Sequence, residues 1–374
     1  MTDVTLIVLC AGTSSRFEHR IKKQWLRIND EPLWLNVTKR ISSYTKFNKI
    51  IVTSHLDELN YMKNFSSHVT FVKGGESRQE SMKNALQEVD SKYVMVTDVA
   101  RAGVPKSVIL NLLENKDKAA CIVPILDVSD TVIFNEITID RNKVKLIQTP
   151  QLSNTAILKK ALENTQDFTD DSSAIKNINE SVFYIQGSSR SKKLTFLNDL
   201  NEFDYFKGPS KNTFVGSGID IHAYEENKEM YLGGVKLPCS YGFKAHSDGD
   251  VLIHSVIDAL LGAIGAGDIG EFFPDSNPKY KNANSASLLA HILEFIHNVG
   301  YEIINIDLTI LAEIPKINPH KLDIKFSMAK LLKIEPQFIN IKATTSEKMG
   351  FVGKEEGLVV LSTANLKYYD WKNI

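Results

Sequence analysis

The chain has 374 residues, of which 43% are hydrophobic and 24% charged, the composition of a globular protein long enough for two domains. Lysine and arginine (44) almost balance aspartate and glutamate (45), so no overall charge favours nucleic acid or an acidic membrane surface. The cysteines Cys10, Cys121 and Cys239 are far apart, which argues against a disulfide framework and a thiolate zinc site. Without signal-peptide zones or an apolar run of membrane-spanning length, the sequence predicts a cytoplasmic protein.

The first half of the chain alternates between short apolar runs and helix-like segments. The predicted strands are 5–11, 50–52, 69–72, 93–97, 119–125 and 182–185, and the predicted helices are 32–44, 79–89, 105–115 and 155–163. This alternation predicts an α/β fold with a doubly wound, Rossmann-like sheet. Because such sheets bind ligands beyond the carboxyl ends of their strands, the residues that follow each strand are candidate site residues.

The loop after the first strand combines small residues with positive charge. It reads AGTSSRF at residues 11–17, and Lys22 and Lys23 follow. Small residues let backbone N–H groups approach a phosphate, but neither the dinucleotide pattern G-x-G-x-x-G nor the Walker pattern G-x-x-x-x-G-K-[ST] is present. On its own, this loop is explained equally well as a plain strand-to-helix turn with solvated lysines.

Polar residues also follow the later strands. The segment 74–81 reads GGESRQES, and Asp98 directly follows the fourth predicted strand, where a carboxylate could hold Mg²⁺ on a nucleotide triphosphate. Further along the chain stand Thr131, Arg141, Thr149 and Lys193. Over residues 3–206 these motifs together resemble the 2-C-methyl-D-erythritol 4-phosphate cytidylyltransferase family of the non-mevalonate isoprenoid pathway.

This resemblance implies that CTP and 2-C-methyl-D-erythritol 4-phosphate react to give a CDP-alcohol and pyrophosphate, with Mg²⁺ or Mn²⁺ on the nucleotide phosphates. It implies that Arg16 and Lys23 stabilise charge on the attacked α-phosphate, and that Arg141 and Lys193 complete the catalytic set by holding the alcohol phosphate. The implied substrate-binding residues are Ala11, Gly12, Gly75, Glu76, Ser81, Asp98, Arg101, Thr131 and Thr149.

Two places depart from the family pattern. Thr97 and Ala102 stand where the family usually has the His and Pro of H-D-A-A-R-P, and Trp25 stands where tyrosine is common. None of these changes removes a charged group that the implied reaction needs. The first departure leaves an alternative open, a nucleotidyltransferase that acts on another sugar alcohol phosphate.

A domain boundary is predicted at residues 207–212, which read KGPSKN, because glycine, proline and serine between two periodic regions mark a linker. The predicted domains are residues 1–210 and 211–374. In the second domain we expect a hairpin at 230–238, strands at 214–222, 303–311, 339–345 and 358–366, and helices at 248–264, 285–299 and 320–332. This mixture predicts an α+β domain with helices on one face of a sheet.

The second domain contains a candidate metal site. Asp220 and His222 would share one face of a strand, and His254 lies on a predicted helix whose Asp250 and Asp258 share its face. One Asp and two His can hold a metal ion with an open position for substrate, and these ligand types favour Zn²⁺ over Ca²⁺. Asp250 or Asp258 could orient His254 through its second nitrogen. A structural histidine explains the pattern alone equally well.

Five motifs of this domain together resemble the 2-C-methyl-D-erythritol 2,4-cyclodiphosphate synthase family over residues 214–368. They are GIDIH (218–222), AHSDGD (245–250), GDIG (267–270), FPD (273–275) and KATTSEK (342–348). The resemblance implies a Zn²⁺ held by Asp220, His222 and His254, and a second divalent ion reached from Glu347. It also implies that the 2-phosphate of the substrate attacks the β-phosphate of its own CDP group, which closes a ring and releases CMP.

The same resemblance implies roles for further positions. His246 and Thr345 would stabilise the transition state. Lys354 replaces an arginine that is common in the family, which keeps the charge but loses bidentate phosphate binding. The implied substrate-binding residues are Ser247, Asp268, Gly270, Phe273, Asp275, Asn277, Ala312, Pro315, Lys316, Thr344, Glu347, Phe351 and Lys354.

The two resemblances imply a homo-oligomer, because cyclodiphosphate synthases are trimers with the site between subunits and the cytidylyltransferases are commonly dimers. They also imply two reactions that are not consecutive, since an ATP-dependent kinase must add the 2-phosphate between them, and that kinase could dock here. The leading hypothesis is therefore a bifunctional isoprenoid enzyme without nucleic-acid or membrane partners. The alternative is one catalytic module joined to an oligomerisation scaffold for the kinase.

Overall fold

The computed structural model describes residues 3–17, 19–163, 166–203, 206–245, 248–274, 276–280 and 283–373. The chain folds into two compact units, Met1–Gly208 and Pro209–Ile374. The division falls inside the segment 207–212, which contains glycine, proline and serine. Within the described ranges, no helix is both long enough and apolar enough to cross a membrane.

The first unit is built on an eight-stranded, largely parallel sheet. The strands of the whole unit are β1 (Val4–Leu9), β2 (Arg27–Ile28), β3 (Glu31–Pro32), β4 (Ile50–Ser54), β5 (Thr70–Lys73), β6 (Tyr93–Asp98), β7 (Cys121–Asp127), β8 (Val132–Phe134), β9 (Ile137–Ile139), β10 (Lys145–Ile147), β11 (Gln151–Asn154) and β12 (Val182–Gln186). The sheet order is β10-β7-β11-β6-β1-β4-β5, with β12 beside β7, while β2–β3 and β8–β9 form two separate hairpins. β1 is parallel to β4 and β6, and β4 is parallel to β5, so four neighbouring strands end at one edge.

Helices cover both faces of this sheet. They are α1 (Leu33–Tyr44), α2 (Leu56–Lys63), α3 (Arg78–Leu86), α4 (Lys106–Glu114), α5 (Thr155–Ala161) and α6 (Asp171–Asn177). Ile7 of β1 belongs to a core with Met82 of α3 and Leu158 of α5. Leu6 and Val8 alternate with it and are equally buried on the opposite face, where α1 packs against α4. The predicted doubly wound sheet is confirmed.

Several elements of this unit escaped prediction. β11 lies antiparallel between β6 and β7, and its residues Gln151, Ser153 and Asn154 are polar although the first two are buried. β8, β9 and β10 have three residues each and are largely exposed. Short or polar strands carry no apolar run, so only pairing with neighbours defines them.

The second unit contains a five-stranded sheet with helices on one face. Its elements are β13 (Thr213–Glu226), β14 (Met230–Leu232), β15 (Val235–Leu237), β16 (Tyr241–Phe243), α7 (Val251–Ile264), α8 (Ile269–Phe272), α9 (Ser285–Asn298), β17 (Tyr301–Leu311), α10 (Lys321–Leu332), β18 (Ile339–Thr344), α11 (Gly350–Gly353) and β19 (Gly357–Tyr368). The sheet order is β16-β13-β19-β17-β18, and only β17 and β18 pair in parallel. α7 packs on β13 and β19, and α9 packs on α7 and β17.

Close contact between α7 and β13 depends on glycine. Gly216 and Gly218 point from β13 toward α7, and a Cβ on Gly216 would overlap the backbone of Ala259 and Ala263. The alternate residues of β13 point away from the helix, and Ile219 and Ile221 are at least half exposed. The predicted one-sided arrangement of helices is therefore present, and β13 exposes apolar side chains on its other face.

We expect Gly216→Ala to lower the free energy of unfolding of the second unit by about 1–3 kcal/mol, because the added methyl group forces α7 away from the sheet. Gly262→Ala is the matched control, since its Cβ would meet only Ser217 and Gly216 atoms at 3.8 and 3.9 Å. Alanine there should be neutral or stabilising by up to about 1 kcal/mol. Equal denaturation midpoints for the two variants, followed by circular dichroism, would contradict the proposed close packing.

Candidate active sites

A cavity of about 530 Å³ lies where β1, β4, β5 and β6 end. Four parallel strands direct their following loops to one edge, so polar residues far apart in sequence meet there. Of the predicted site residues, the cavity is lined by Ala11, Gly12, Arg16, Lys23, Gly75, Glu76, Ser81, Asp98 and Lys193.

Three of the cationic side chains that line this cavity were predicted from the sequence. Arg16 and Lys23 come from the loop after β1, and Lys193 comes from the segment after β12. Burial, and then the charges of Arg16 and Lys193, lower the pKa of Lys23 to about 8. An anionic ligand would relieve this repulsion, so the arrangement favours phosphate binding.

Asp98 balances part of this positive charge. Its Oδ1 accepts a hydrogen bond from Arg78 Nε at 3.1 Å, and its Oδ2 accepts one from Lys193 Nζ at 2.6 Å. Burial alone would raise the pKa of Asp98, but the charges of Arg78 and Lys193 hold it well below its usual range. Arg78 Nη1 also donates to Asp171, whose pKa burial raises to about 6. Two cations therefore face two carboxylates at neutral pH.

Arg78 and Asp171 were missing from the predicted site. Arg78 lies inside the GGESRQES segment that was recognised as a loop, and Asp171 follows Asp170, the N-cap of α6. Asp171 is fully buried, and a buried carboxylate requires a cationic partner. The charged pair could have been suspected from its neighbours, but only the fold shows that the two residues meet.

The loop after β5 is held in place by its own helix. Ser77 is the N-cap of α3 and accepts a hydrogen bond from the backbone N–H of Glu80 at 3.1 Å. Glu80 in turn accepts from the N–H of Glu76 at 2.8 Å, and Ser81 Oγ accepts from the N–H of Gly75 at 3.0 Å. The predicted substrate-binding residues Gly75, Glu76 and Ser81 therefore belong to a segment that is held by its own hydrogen bonds.

Thr149 and Arg101 support the strand end that carries Asp98. Thr149 Oγ1 accepts a hydrogen bond from the N–H of Asp98 at 3.2 Å. Arg101 donates to the carbonyl of Ser191 at 2.7 Å and to that of Ile147 at 3.3 Å. Both residues lie behind the cavity wall.

Thr131 and Arg141 do not line the cavity. Thr131 precedes β8 and Arg141 follows β9, and both are exposed. Arg141 Nη1 donates to the carbonyl of Ser129 at 2.6 Å within the same segment. The surrounding hairpin exposes large apolar side chains, namely Ile133, Phe134 and Ile137.

In the second unit, Asp220, His222 and His254 form a possible metal site, with one ligand atom of each residue within 4.8 Å of the others. His222 Nε2 and His254 Nδ1 each lie 3.3 Å from Asp220 Oδ2. Among the described groups, none makes a well-formed hydrogen bond to this buried oxygen. Three potential metal ligands face one another here, and one of them is a carboxylate oxygen without a well-formed hydrogen bond. Such an arrangement fits a divalent cation.

The outer nitrogens of both histidines are held by other groups. His222 Nδ1 lies 3.1 Å from the carbonyl of Gly249, and His254 Nε2 lies 2.9 Å from Ser285 Oγ. Ser285 Oγ donates in turn to Asp248. Burial lowers the pKa of His222, whereas the neighbouring Asp220 raises that of His254 against the effect of burial.

The expectation that Asp250 or Asp258 orients His254 is wrong. Asp250 is the N-cap of α7 and accepts from the backbone N–H groups of Gly233 and Gly234 at 2.8 and 2.6 Å. Asp258 accepts from the N–H of Ile269 at 2.8 Å. Side-chain spacing on a helix does not reveal which backbone donors a carboxylate meets, and these donors come from other segments.

Asp268, Gly270, Phe273 and Asn277 lie in or next to α8. Asp268 is the N-cap of α8, which contains Gly270. Phe273 is buried against Tyr280 and His291, so it contributes to packing, while Asn277 is exposed in the following turn. His246, Ser247 and Asp275 lie outside the described residues.

The ends of two paired strands place further predicted substrate-binding residues side by side. Ala312, Pro315 and Lys316 follow β17, Thr344 ends β18, and Thr345 and Glu347 come next. Glu313, which was not predicted, accepts from Ser346 and Lys348 backbone N–H groups at 3.1 Å and joins the two loops. Thr345 Oγ1 donates to Glu347 at 2.9 Å, and Phe351 and Lys354 belong to α11 and its C-cap.

Register shows how far these loops lie from the metal ligands. Ile221 pairs with Val359, Val359 with Leu311, and Leu311 with Thr344. Three strand spacings therefore separate β13 from β18, roughly 14 Å. Within one chain, Asp220, His222 and Thr344 therefore lie near the same ends of the paired strands, but on strands that are three positions apart in the sheet.

Comparison with known proteins agrees with these geometries. The family described as 2-C-methyl-D-erythritol 4-phosphate cytidylyltransferase (IspD) matches residues 4–206, and the YgbB family matches residues 213–367. The bifunctional enzyme IspD/IspF of Aliarcobacter butzleri is 68% identical over 372 residues, and that of Campylobacter lari is 51% identical over 374 residues. In both cases the match covers 100% of each chain.

A solved structure gives the same result for the fold. The structure of the bifunctional IspDF from Campylobacter jejuni is 47% identical and has a TM-score of 0.88, with 99% of this chain and 100% of that chain covered. The predicted families and the pair of enzyme activities are thus confirmed. The chain belongs to the bifunctional IspD/IspF family of isoprenoid-pathway enzymes, which join a cytidylyltransferase to a cyclodiphosphate synthase.

Proposed function

We propose that the cavity of the first unit binds CTP and 2-C-methyl-D-erythritol 4-phosphate, and that the Asp220–His222–His254 cluster serves ring closure in the second unit. The observation that supports the first assignment best is the convergence of Arg16, Lys23 and Lys193 on one cavity. Such a group of cations suits a ligand with several phosphates.

In the first reaction an oxygen of the 4-phosphate attacks the α-phosphate of CTP. A new P–O bond forms, the bond to the β-phosphate oxygen breaks, and pyrophosphate leaves. Arg16 and Lys23 offset the negative charge on the transferred group, and Lys193, which is anchored to Asp98, holds the attacking phosphate. Thr131 and Arg141 would act in the same reaction. Because they do not line the cavity of their own chain, they would reach the cavity of a second copy of the chain.

The expected metal contact of Asp98 fits this arrangement poorly. Both of its oxygens already accept hydrogen bonds from cations, Arg78 and Lys193. Asp98 is better explained as the anchor of these two side chains. The proposed cytidylyl transfer therefore includes no metal ion bound to Asp98.

In the second reaction an oxygen of the 2-phosphate attacks the β-phosphate of the CDP group of the same molecule. The bond to the α-phosphate oxygen breaks, CMP leaves, and an eight-membered ring remains. Asp220, His222 and His254 would hold a divalent cation such as Zn²⁺, which when bound supplies positive charge at the β-phosphate. Thr345, fixed by Glu347, and His246 would stabilise the transition state, and Glu347 would reach a second divalent ion.

Two observations support a homo-oligomer. About three strand spacings separate the metal ligands from Thr344 in one chain, so a substrate held by both is better placed between copies. The sheet face opposite α7 exposes a row of apolar side chains, Val215, Ile219, Ile221 and Leu361, which a neighbouring copy would cover. Copies of the chain would associate as trimers through the second unit and as dimers through the hairpin β8–β9.

We expect Lys23→Ala to reduce the rate of pyrophosphate release from CTP by about 10²–10³-fold, because one cation beside the α-phosphate is lost. Lys39→Ala, which removes an exposed lysine paired with Glu31, is the matched control and should retain wild-type activity. CMP release by the second unit should be unchanged in both variants. Wild-type pyrophosphate release by Lys23→Ala would show that the site is misplaced.

The kcat/KM for CTP should decline as pH rises through about 8, because the pKa of Lys23 lies there and only its protonated form offsets phosphate charge. Lys23→Arg tests the assignment, since a guanidinium stays charged over this range. Its residual activity should lack the alkaline decline. The same decline in Lys23→Arg would assign the titration to another group.

We expect Ser285→Ala to weaken metal binding by about 10–100-fold, because His254 Nε2 loses the hydroxyl that orients its ring. Ser287→Ala, an exposed serine of the same helix, is the control, and Asp220→Ala should abolish binding. Zinc affinity measured by competition with a chromophoric chelator checks all three. Equal affinities for Ser285→Ala and Ser287→Ala would contradict the orienting role.

A further inference from the structure

The carboxylate of Glu58 lies in the first turn of α2 and is only 1% exposed. Three donors of one short segment converge on it. Lys22 Nζ donates at 2.5 Å, Trp25 Nε1 at 2.6 Å, and Gln24 Nε2 at 3.4 Å. A buried carboxylate is stable only with such partners, so these bonds hold the segment firmly against α2.

Lys23 lines the cavity, and its neighbours make the bonds to Glu58. Lys22, Gln24 and Trp25 are 9%, 2% and 0% exposed and donate to Glu58, and Gln24 also borders the cavity. The direction of the catalytic lysine is therefore set by the three side chains around it.

Gln24 carries the same restraint into the phosphate loop. Its Nε2 also donates to the carbonyl of Gly12 at 3.1 Å, and its Oε1 accepts from Ser14 Oγ at 3.4 Å. Ser14 Oγ in turn accepts from the backbone N–H of Lys23 at 3.0 Å. A continuous chain of hydrogen bonds thus leads from Glu58 to the loop that approaches the nucleotide phosphates.

The start of α2 forms another wall of the cavity, through His55, Leu56 and Asp57. Glu58 therefore ties two walls together, the phosphate loop with Lys23 on one side and α2 on the other. Neither wall is joined to the other by β-sheet pairing at this point, because β1 and β4 end before it.

We propose that Glu58 is a positioning residue for cytidylyl transfer, which fixes Lys23 and the phosphate loop in the geometry that the transferred phosphate requires. Trp25, the departure from the tyrosine common in the family, takes part directly, because its indole N–H bonds Glu58 while its ring packs on Trp34, Tyr61 and Phe65. The inference rests on the role proposed above for Lys23.

Two variants separate positioning from stability. Trp25→Phe keeps an aromatic ring but removes one donor to Glu58. Lys22→Met combined with Glu58→Leu replaces the buried ion pair by apolar side chains of similar size, so that no unpaired charge remains. Each is assayed for pyrophosphate release with both substrates varied, for thermal unfolding, and for CMP release by the second unit.

The expected result is a fall in kcat of about tenfold for Trp25→Phe and about 10–100-fold for the double variant, because small displacements of a catalytic group are costly. The KM for the alcohol phosphate and CMP release should stay close to wild type, and both variants should remain folded at the assay temperature, although the smaller side chain at the fully buried position 25 lowers the unfolding temperature. A wild-type kcat in Trp25→Phe, or in a folded double variant, would overturn the proposal. If the double variant does not fold, Trp25→Phe alone decides.

Lys23→Ala is assayed alongside. If it loses activity while the Glu58 variants keep theirs, only the positioning role fails. If Lys23→Ala itself is fully active, the assignment of the site fails first.

Discussion

The ion cluster of Arg78, Asp98, Asp171 and Lys193 is the interaction on which the first active site depends. It buries two carboxylates that would be unstable alone and uses them to hold two cations at the rim of the cavity. Arg16 and Lys23 remain without carboxylate partners of this kind in the described structure, and burial, followed by the charges of Arg16 and Lys193, lowers the pKa of Lys23. Positive charge is thus concentrated where a triphosphate would lie, although the chain as a whole is almost neutral.

The second unit has a different structural requirement, because three neutral or acidic side chains have to lie around one point. Gly216 and Gly218 let α7 approach β13 closely enough for His254 of the helix to face Asp220 of the strand. Gly249 and Ser285 then fix the ring planes from outside. The alternate residues of the same strand, Val215, Ile219 and Ile221, are exposed and belong to the apolar row proposed to join copies.

A carboxylate anchors a functional loop in both units. Glu58 holds the segment around Lys23, Asp250 holds the β14–β15 turn at the start of the helix that carries His254, and Glu313 joins the loops after β17 and β18. Each of these carboxylates accepts several hydrogen bonds, which for the buried Glu58 and Asp250 offset the cost of removing the group from water. Such anchors explain how loops without regular structure can present reactive groups in fixed positions.

Local pattern determined much of this protein from sequence alone. Continuous apolar runs marked the parallel strands, three- and four-residue periodicity marked α7 and α9, and closely spaced motifs identified both families. One of these motifs, GIDIH, contains two of the proposed metal ligands. Residues whose role depends on distant partners escaped, among them Arg78 with Asp171, Ser285 with His254, and Glu58 with Trp25. Those pairs are 93, 31 and 33 positions apart, and no local pattern encodes such a distance. Only the tertiary structure decided which carboxylate met which donor, because the packing of strands and helices brings them together.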